Sequence, residues 1–429
     1  MRGMRLTAEQ LLSDTPLPEA AGGVLVAYSG GLDSVVMLHL LGRLRDSGSI
    51  RSLRALHVHH GLQAVADDWV RHCAAQCERH GIDLQVLRVQ IDGADPAGPE
   101  GAARRERYAA LSGAMGEGEV LATAHQLDDQ AETFLMRALR GSGQRGLAAM
   151  RGLQTFGPGW LWRPLLGRSR AELEAYARAH ELQWIDDPHN TDPRYERSWL
   201  RQQLTPLMRR RWPAATLNLA RSAALSAEAD DLLAELASID EAVCAIPGGL
   251  SCAALLRLSP ARRRNLLRAR VDALALPPPP HALLLRLDDL LLARQDAMPL
   301  LHWPGGELRR YRDLLAMMPA LPEEPGDWQC DWDGRGLLML PAGCGELHGE
   351  AATGRALQVR FARGGERIVM HEGGPHRSLK HLFQEHAVPP WRRRRTPLLF
   401  DGGELLWIGG LPAAGGADAA IRALKWRPA

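Results

Sequence analysis

Ser29-Gly30-Gly31-Leu32-Asp33-Ser34 gathers two glycines, two hydroxyls and a carboxylate into six residues. The apolar run Gly23–Ser29 reads as a buried strand before it, and Ser34–Arg45 as a helix after it. Glycines at such a turn allow unusual dihedrals and close backbone approach, while free N–H groups and the helix dipole point outward. The result is a nest for an anion as extended as a pyrophosphate. Ser29 and Ser34 add donors, and Asp33 can orient a metal or its water. A plain serine-capped turn uses similar residues, but the complete string at a strand-to-helix junction favours the anion site.

Asp128, Asp129 and Glu132 form a second candidate group. Offsets of three and four residues bring carboxylates onto adjoining faces of one helix, where they can hold a cation and accept a proton. Acidic residues opening a helix also serve as caps, and the spacing alone leaves both roles open. Arg104 and Arg107 lie one turn apart, suited either to phosphate charge or to pairing with Glu100 and Glu106 on a surface. His72, Cys73, Cys77 and His80 crowd one predicted helix too closely to close a tetrahedron, so the cysteines read as buried packing groups.

The elements that must position these groups alternate. Strands at Leu53–His59, Asp83–Val89 and Val120–His125 are interleaved with helices at Asp67–His80, Glu100–Ser112 and Asp128–Arg140. Such alternation predicts an α/β domain with a mostly parallel sheet and helices on both faces. It continues through Trp160–Leu166, a helix near Arg170–His180 and a loop at Asp186–Pro193, closing near Pro213. Residues 214–324 are Leu/Ala/Arg-rich with helical spacing and predict a small all-helical domain, with Pro277–Pro280 a joint that no helix crosses. Gly/Pro turns and short apolar runs at Leu357–Phe361 and Leu405–Ile408 predict a mixed α+β domain over 325–429.

The chain has 429 residues, 45% hydrophobic and 24% charged, with net charge +2. That length predicts two or three domains, and the apolar fraction excludes a mostly disordered protein. Lys380 and Lys425 are the only lysines. Neither follows a Walker glycine loop, and neither completes Ser-x-x-Lys. Near-neutrality argues against a uniformly basic nucleic-acid coater. The average conceals an asymmetry, however. From Arg355 onward 13 basic residues face 6 acidic ones, a surplus of seven that leaves the rest of the chain negative by five. A basic tail containing the run Arg392–Arg395 suits local binding of a polyanion, although a solvated face is the commoner use of such a run. The six cysteines are scattered without Cys-x-x-Cys, and neither a signal peptide nor a run of about 18 apolar residues is seen. A reduced cytoplasmic setting with no membrane association is therefore expected.

The six-residue loop matches the pyrophosphate loop of the ATP-pyrophosphatase (N-type PP-loop) superfamily, whose fold is adenine-nucleotide alpha-hydrolase-like. Within it, several strings resemble the tRNA(Ile)-lysidine synthase family: His57-Val58-His59-His60-Gly61-Leu62-Gln63, Glu100 to Tyr108, Ala124 to Thr133, Arg140-Gly141-Ser142-Gly143, Arg163 to Leu166, and Asp187-Pro188-His189-Asn190 with Arg197 and Arg201 beyond. Arg363 to Arg367, Lys380 to Glu385 and Val388 to Trp391 resemble the family's C-terminal domain. His59 and Ser198 depart from the family's usual asparagines.

The resemblance implies ATP-dependent adenylation of C2 of the wobble cytidine in a CAU-anticodon isoleucine tRNA, then attack by the ε-amine of free L-lysine. ATP with Mg2+ would rest on Ser29 to Ser34, with His57 and His59 beside the nucleotide and Asp33 and Asp129 on the metal. Asp128, Asp129 and Glu132 would hold lysine, and Arg104 would assist catalysis. Arg107, Arg197, Arg201, Lys380, Arg392 and Arg393 would contact substrate, in a chain that could also pair as a homodimer. Two other readings compete. A PP-loop tRNA 2-thiolation enzyme would need a reactive cysteine pair or iron–sulfur ligands. A non-catalytic nucleotide sensor would have no need of a pyrophosphate loop, a carboxylate helix or a basic tail.

Overall fold

The computed structural model describes residues 6–59, 66–89, 98–186, 196–294, 297–350, 354, 357–371, 373–415, 417 and 419–428. The chain divides into two compact units, 1–232 and 233–429.

In the first unit, helix α1 (Ala8–Asp14) precedes strand β1 (Gly23–Ala27) and helix α2 (Leu32–Asp46). Then come β2 (Leu53–His59), α3 (Ala66–Arg79), β3 (Asp83–Arg88), α4 (Gly98–Gly113), β4 (Glu119–Ala122) and α5 (Leu127–Leu139). A short α6 (Gln144–Leu147) leads into the hairpin of β5 (Leu153–Phe156) and β6 (Gly159–Trp162), followed by α7 (Arg170–Ala179). The sheet order is β3-β2-β1-β4-β6-β5. All neighbours are parallel except β5, which runs antiparallel to β6. The expected α/β domain is therefore present, with β5 as an antiparallel edge the sequence did not announce.

Strand periodicity explains the two helical layers. Successive residues of β1 point to opposite faces. Val24 and Val26 pack with Leu11, Met37, Leu41, Cys73 and Leu173 on one side. Leu25 packs with Leu56, Leu111, Met115 and Leu121 beneath α4 on the other. Both layers leave the C-terminal ends of β1, β2, β4 and β6 at one edge, where an open α/β sheet presents its ligand crevice. After α7 the unit continues through α8 (Glu196–Trp199), a π-helical turn (Leu200–Leu204), α9 (Thr205–Arg211) and the start of α10 (Ala215–Cys244).

The second unit corrects one expectation. Residues 214–324 are not all-helical: Ala245–Ile246, Gly249–Ser251, Leu300–Trp303, Gly306–Tyr311 and Leu314–Met318 form a five-stranded antiparallel sheet. The overlooked signal is Pro304-Gly305, a tight turn with Gly305 at φ +87°, between Leu300–Trp303 and Gly306–Tyr311. The strands of this sheet are two to six residues long and most show no alternation in burial, so nothing with a period of two stands out from the Leu- and Arg-rich composition. Helices do dominate elsewhere: Pro260–Ala273 ends before Pro277–Pro280 and His281–Leu285 begins after it. The tail is mixed α+β, as expected. It has a four-stranded sheet (Gln329–Trp332, Leu357–Arg360, Leu398–Asp401, Glu404–Ile408), two smaller ones and the helix Leu379–Glu385.

Candidate active site

The glycine loop sits where β1 passes into α2. Gly30 adopts φ +81°, and a Cβ there would lie 2.9 Å from Cys73 Sγ and 3.1 Å from Ile185 Cδ1. Only glycine fits both the dihedral and the space. The carbonyl of Gly30 accepts from Ile185 N at 2.9 Å, tying the loop to the segment after α7. Ser34 Oγ donates to Gly31 O at 2.9 Å, Gly31 N donates to Ser29 Oγ at 3.4 Å, and the two serine hydroxyls are 3.1 Å apart. Gly31 opens α2 with no side-chain cap, leaving the first amides of a 15-residue helix for an anion. Leu32 turns inward to the core, so only its backbone serves the loop.

Asp33 lies in the first turn of α2. Its Oδ1 is buried without a hydrogen-bond partner, and Arg170 Nη1 is 3.9 Å from Oδ2. Burial pushes its carboxyl up to about 6, with Arg170 and Arg201 opposing and Asp129 and Asp128 reinforcing the rise. These influences place the glycine loop and the carboxylates of α5 in one electrostatic site. A buried carboxylate oxygen without a partner fits a cation bound beside phosphate, since Mg2+ is commonly held by one or two carboxylates plus phosphate oxygens. No group of three or more His, Cys, Asp or Glu side chains among the described residues is arranged to hold a metal unaided.

The start of α5 is braced by a capping box. Gln126 Oε1 accepts from Asp128 N at 2.8 Å, and Asp129 Oδ2 accepts from Gln126 N at 3.1 Å. Asp128 also accepts from Arg170 N at 3.1 Å and pairs with Arg209. Capping and site formation are thus not exclusive here. Arg201 donates through Nε to Glu132 Oε1 at 2.9 Å, and through Nη2 to Glu132 Oε2 at 3.0 Å and Asp129 Oδ1 at 3.1 Å. Glu132 is 3% exposed, and burial raises its pKa despite Arg201.

His57 and His59 are buried on β2. His57 Nδ1 donates to Tyr28 O at 2.9 Å, and burial lowers its pKa, so the ring is neutral near pH 7. His59 Nε2 lies 3.4 Å from Asp67 Oδ1. Residues 60–63 of that string and 187–190 of the Asp-Pro-His-Asn string lie outside the described residues.

A cationic group adjoins the carboxylates. Burial holds the pKa of His125 well below the usual histidine value, and the nearby Arg163, Arg104, Arg197 and Arg107 lower it further. Arg197 Nη2 donates to Thr133 Oγ1 at 2.8 Å, and Thr123 Oγ1 lies 3.0 Å from His125 Nδ1. Sequence reasoning selected Arg104, Arg107, Arg197 and Arg201 but gave no role to His125, Arg163, Arg170 or Arg209. His125 and Arg163 follow β4 and β6 at the crevice edge, a positional signal that was available. Arg170 and Arg209 gave none, because their partner Asp128 is reached only through the tertiary fold.

In the second unit Lys380 and Arg392 are exposed. The four-arginine run does not present one uniform face. Arg393 is half-buried and donates to Val388 O at 2.8 Å and Tyr311 Oη at 3.0 Å. Arg394 pairs with Glu324 at 2.9 Å, and the buried Arg395 donates to Trp391 O at 3.0 Å. The single helical turn Pro390–Arg393, capped by Arg394, explains the split, since consecutive helical residues project in different directions.

A glycine loop between β1 and α2 of a mostly parallel sheet, facing carboxylates across the crevice, defines a PP-loop nucleotide-binding domain, and residues 4–208 match the PP-loop domain family. Residues 250–315 match the TilS substrate binding domain and 357–427 the TilS substrate C-terminal domain. The chain is 47% identical to tRNA(Ile)-lysidine synthase of Xanthomonas campestris pv. campestris strain 8004, over 95% of each chain. It is 45% identical to that of Pseudomonas aeruginosa, over 95% of this chain and 94% of the other. The chain belongs to the tRNA(Ile)-lysidine synthase family. Among solved structures it is similar to the U34-tRNA thiolase NcsA from Methanococcus maripaludis, 20% identical over 50% of this chain and 76% of that one, with a TM-score of 0.41. So slight a likeness carries no argument about activity. No helix among the described residues is long and apolar enough to cross a membrane.

Proposed function

We propose that this enzyme of the lysidine synthase family converts the wobble cytidine of a CAU-anticodon isoleucine tRNA to lysidine, using ATP and free L-lysine. The observation that carries this reading is the convergence of the glycine loop and Asp33 with Asp128 and Asp129 at one sheet edge, with Arg201 tying Asp129 to Glu132. The first step joins the cytidine C2 oxygen to the α-phosphorus of ATP and releases pyrophosphate. The loop amides and Ser29 and Ser34 hold the departing pyrophosphate. Asp33 and Asp129 would hold Mg2+, which when bound supplies charge neutralisation at the phosphates. Arg104, Arg107 and Arg197 offset phosphate charge in the same crevice.

In the second step the ε-nitrogen of lysine attacks C2 and AMP leaves with the oxygen. The amine has a pKa of about 10.4 in water and must surrender a proton before attack. Asp128, Asp129 and Glu132 bind the ammonium, and a carboxylate within hydrogen-bond reach takes that proton. Three functional parts follow: catalysis in 1–213, with RNA contacts over 214–324 and 325–429, the latter through Lys380 and Arg392. Thiolation is the weaker reading. Cys73 and Cys77 are packed in the apolar core at 0% and 1% exposure, and burial pushes their thiols up to about 12 and about 11. Reactive cysteines need the opposite environment.

The test is incubation with ATP, labelled lysine and a CAU-anticodon isoleucine transcript. Label enters the RNA in the wild type and not in Asp33→Ala. No incorporation into a transcript that a known synthase modifies would overturn the proposal.

A further inference from the structure

Outside the nucleotide crevice, the outer side of α4 and Phe156 of β5 border a shallow, open cleft of about 500 Å³. Its walls include Arg104, Arg105, Tyr108 and Phe156. Tyr108 and Phe156 meet edge-to-face, with ring centroids 5.8 Å apart and planes at 82°. The Arg104 guanidinium lies 5.0 Å from the Tyr108 ring centroid, and that of Arg107 lies 5.6 Å from it. Here an aromatic wall is faced by guanidinium planes already oriented on a phenol ring. Arg104 belongs at once to this cleft and to the cationic group around His125. Arg104 thus borders both, and from it the cleft runs along α4 toward Ser112.

Aromatic rings and guanidinium planes stack the faces of unpaired bases, and arginines beside them neutralise the connecting phosphates. A purely apolar ligand would make no use of the exposed Arg104 and Arg105 guanidiniums, while an acidic peptide would have no use for the Tyr108–Phe156 wall. We propose that this cleft is a stacking subsite for single-stranded RNA. It takes an unpaired anticodon-loop nucleotide that flanks the reacting cytidine. The base stacks against Phe156 and the Arg104 guanidinium, and its phosphate lies on Arg105. The inference rests on the tRNA reading above and deepens it. Splaying a neighbouring base into the cleft unstacks the loop and frees the wobble base to turn into the crevice.

Phe156→Ala and Arg105→Ala alter the cleft without touching the nucleotide loop or the carboxylates. The experiment measures binding of an anticodon stem-loop RNA in the absence of ATP, with 2-aminopurine placed singly at each loop position. One loop position changes fluorescence on binding to wild type. Phe156→Ala abolishes that change and weakens binding by about 10-fold, a typical stacking loss. Arg105→Ala lowers the slope of log Kd against log salt by about 0.7. In lysine incorporation, Phe156→Ala raises KM for tRNA and leaves KM for lysine near wild type. A wild-type protein that does not bind the stem-loop would overturn the subsite, as would unchanged RNA affinity in both variants. Normal incorporation with unchanged KM for tRNA would sink the subsite and leave the lysidine reading standing. Failure of incorporation alongside intact, Phe156-dependent RNA binding would sink only the latter.

Discussion

Asp33 shows how a single side chain trades stability for function. Its carboxyl titrates near 6 because burial disfavours the charged form more than Arg170 and Arg201 favour it. A carboxylate whose folded pKa is raised penalises the native state when ionised. That penalty is complete above about pH 6 and vanishes below the unfolded value near 4. Asp33→Asn should therefore raise the stability of the ligand-free protein at pH 8 by about 2 kcal/mol and change it little at pH 4. Denaturant melts at the two pH values check this. The same variant should lose pyrophosphate release. In the wild type, kcat/KM for ATP should fall as pH drops through about 6, where Asp33 takes up its proton. Burial raises the pKa of Glu132 as well, but here a guanidinium offsets much of the cost. Its buried charge is sustained by two hydrogen bonds from Arg201, so Arg201→Ala should destabilise the fold by about 3 kcal/mol, the usual cost of orphaning a buried charge. Glu132→Gln in the same background should recover part of that loss in a double-mutant cycle.

At the scale of the element, the β1–loop–α2 unit was readable in the sequence because its determinants are local. An apolar run of strand length, two glycines and a helical pattern constrain one another whatever surrounds them. Even so, the two glycines are unequal. Gly30 stands at φ +81° against Cys73 and Ile185, whereas Gly31 has φ −75° and a Cβ there would find its nearest neighbour at 3.6 Å. Gly30→Ala should cost at least about 1–2 kcal/mol from the left-handed backbone alone, before the contact with Cys73 is counted. Gly31→Ala should fold with stability within about 0.5 kcal/mol of wild type. Calorimetry of both variants checks the contrast, and nucleotide titration should show the larger loss in Gly30→Ala. Strand β5 and the meander over 300–318 escaped the sequence reading for a shared reason. Strands of four to six residues offer too few alternations to stand out from an Arg- and Leu-rich background.

For the whole molecule, the net charge of +2 is an average over unlike regions. The surplus of seven beyond Arg355 suits a polyanion, but the structure apportions it unevenly. Arg392 is exposed, while Arg395 is buried against Trp391 O. Arg392→Ala should lower the salt slope of tRNA binding by about 0.7–0.9 with little effect on Tm. Arg395→Ala should instead lower Tm by several degrees, because it removes a buried donor and leaves carbonyls unmatched. Salt titrations and thermal melts of the two variants separate these outcomes.

The sequence by itself determined the glycine loop, the α/β alternation around it, the acidic opening of α5 and the basic tail. Each depends on spacing within one segment or on counting. Tertiary structure alone decided which groups meet. Arg201 joins Glu132 across 69 positions, Arg209 joins Asp128 across 81, and Asp33 comes under the influence of both acidic residues that open α5. No local pattern encodes these partnerships. They arise because parallel strands carry distant turns to one edge of a sheet, and burial there sets the charge each group can bear.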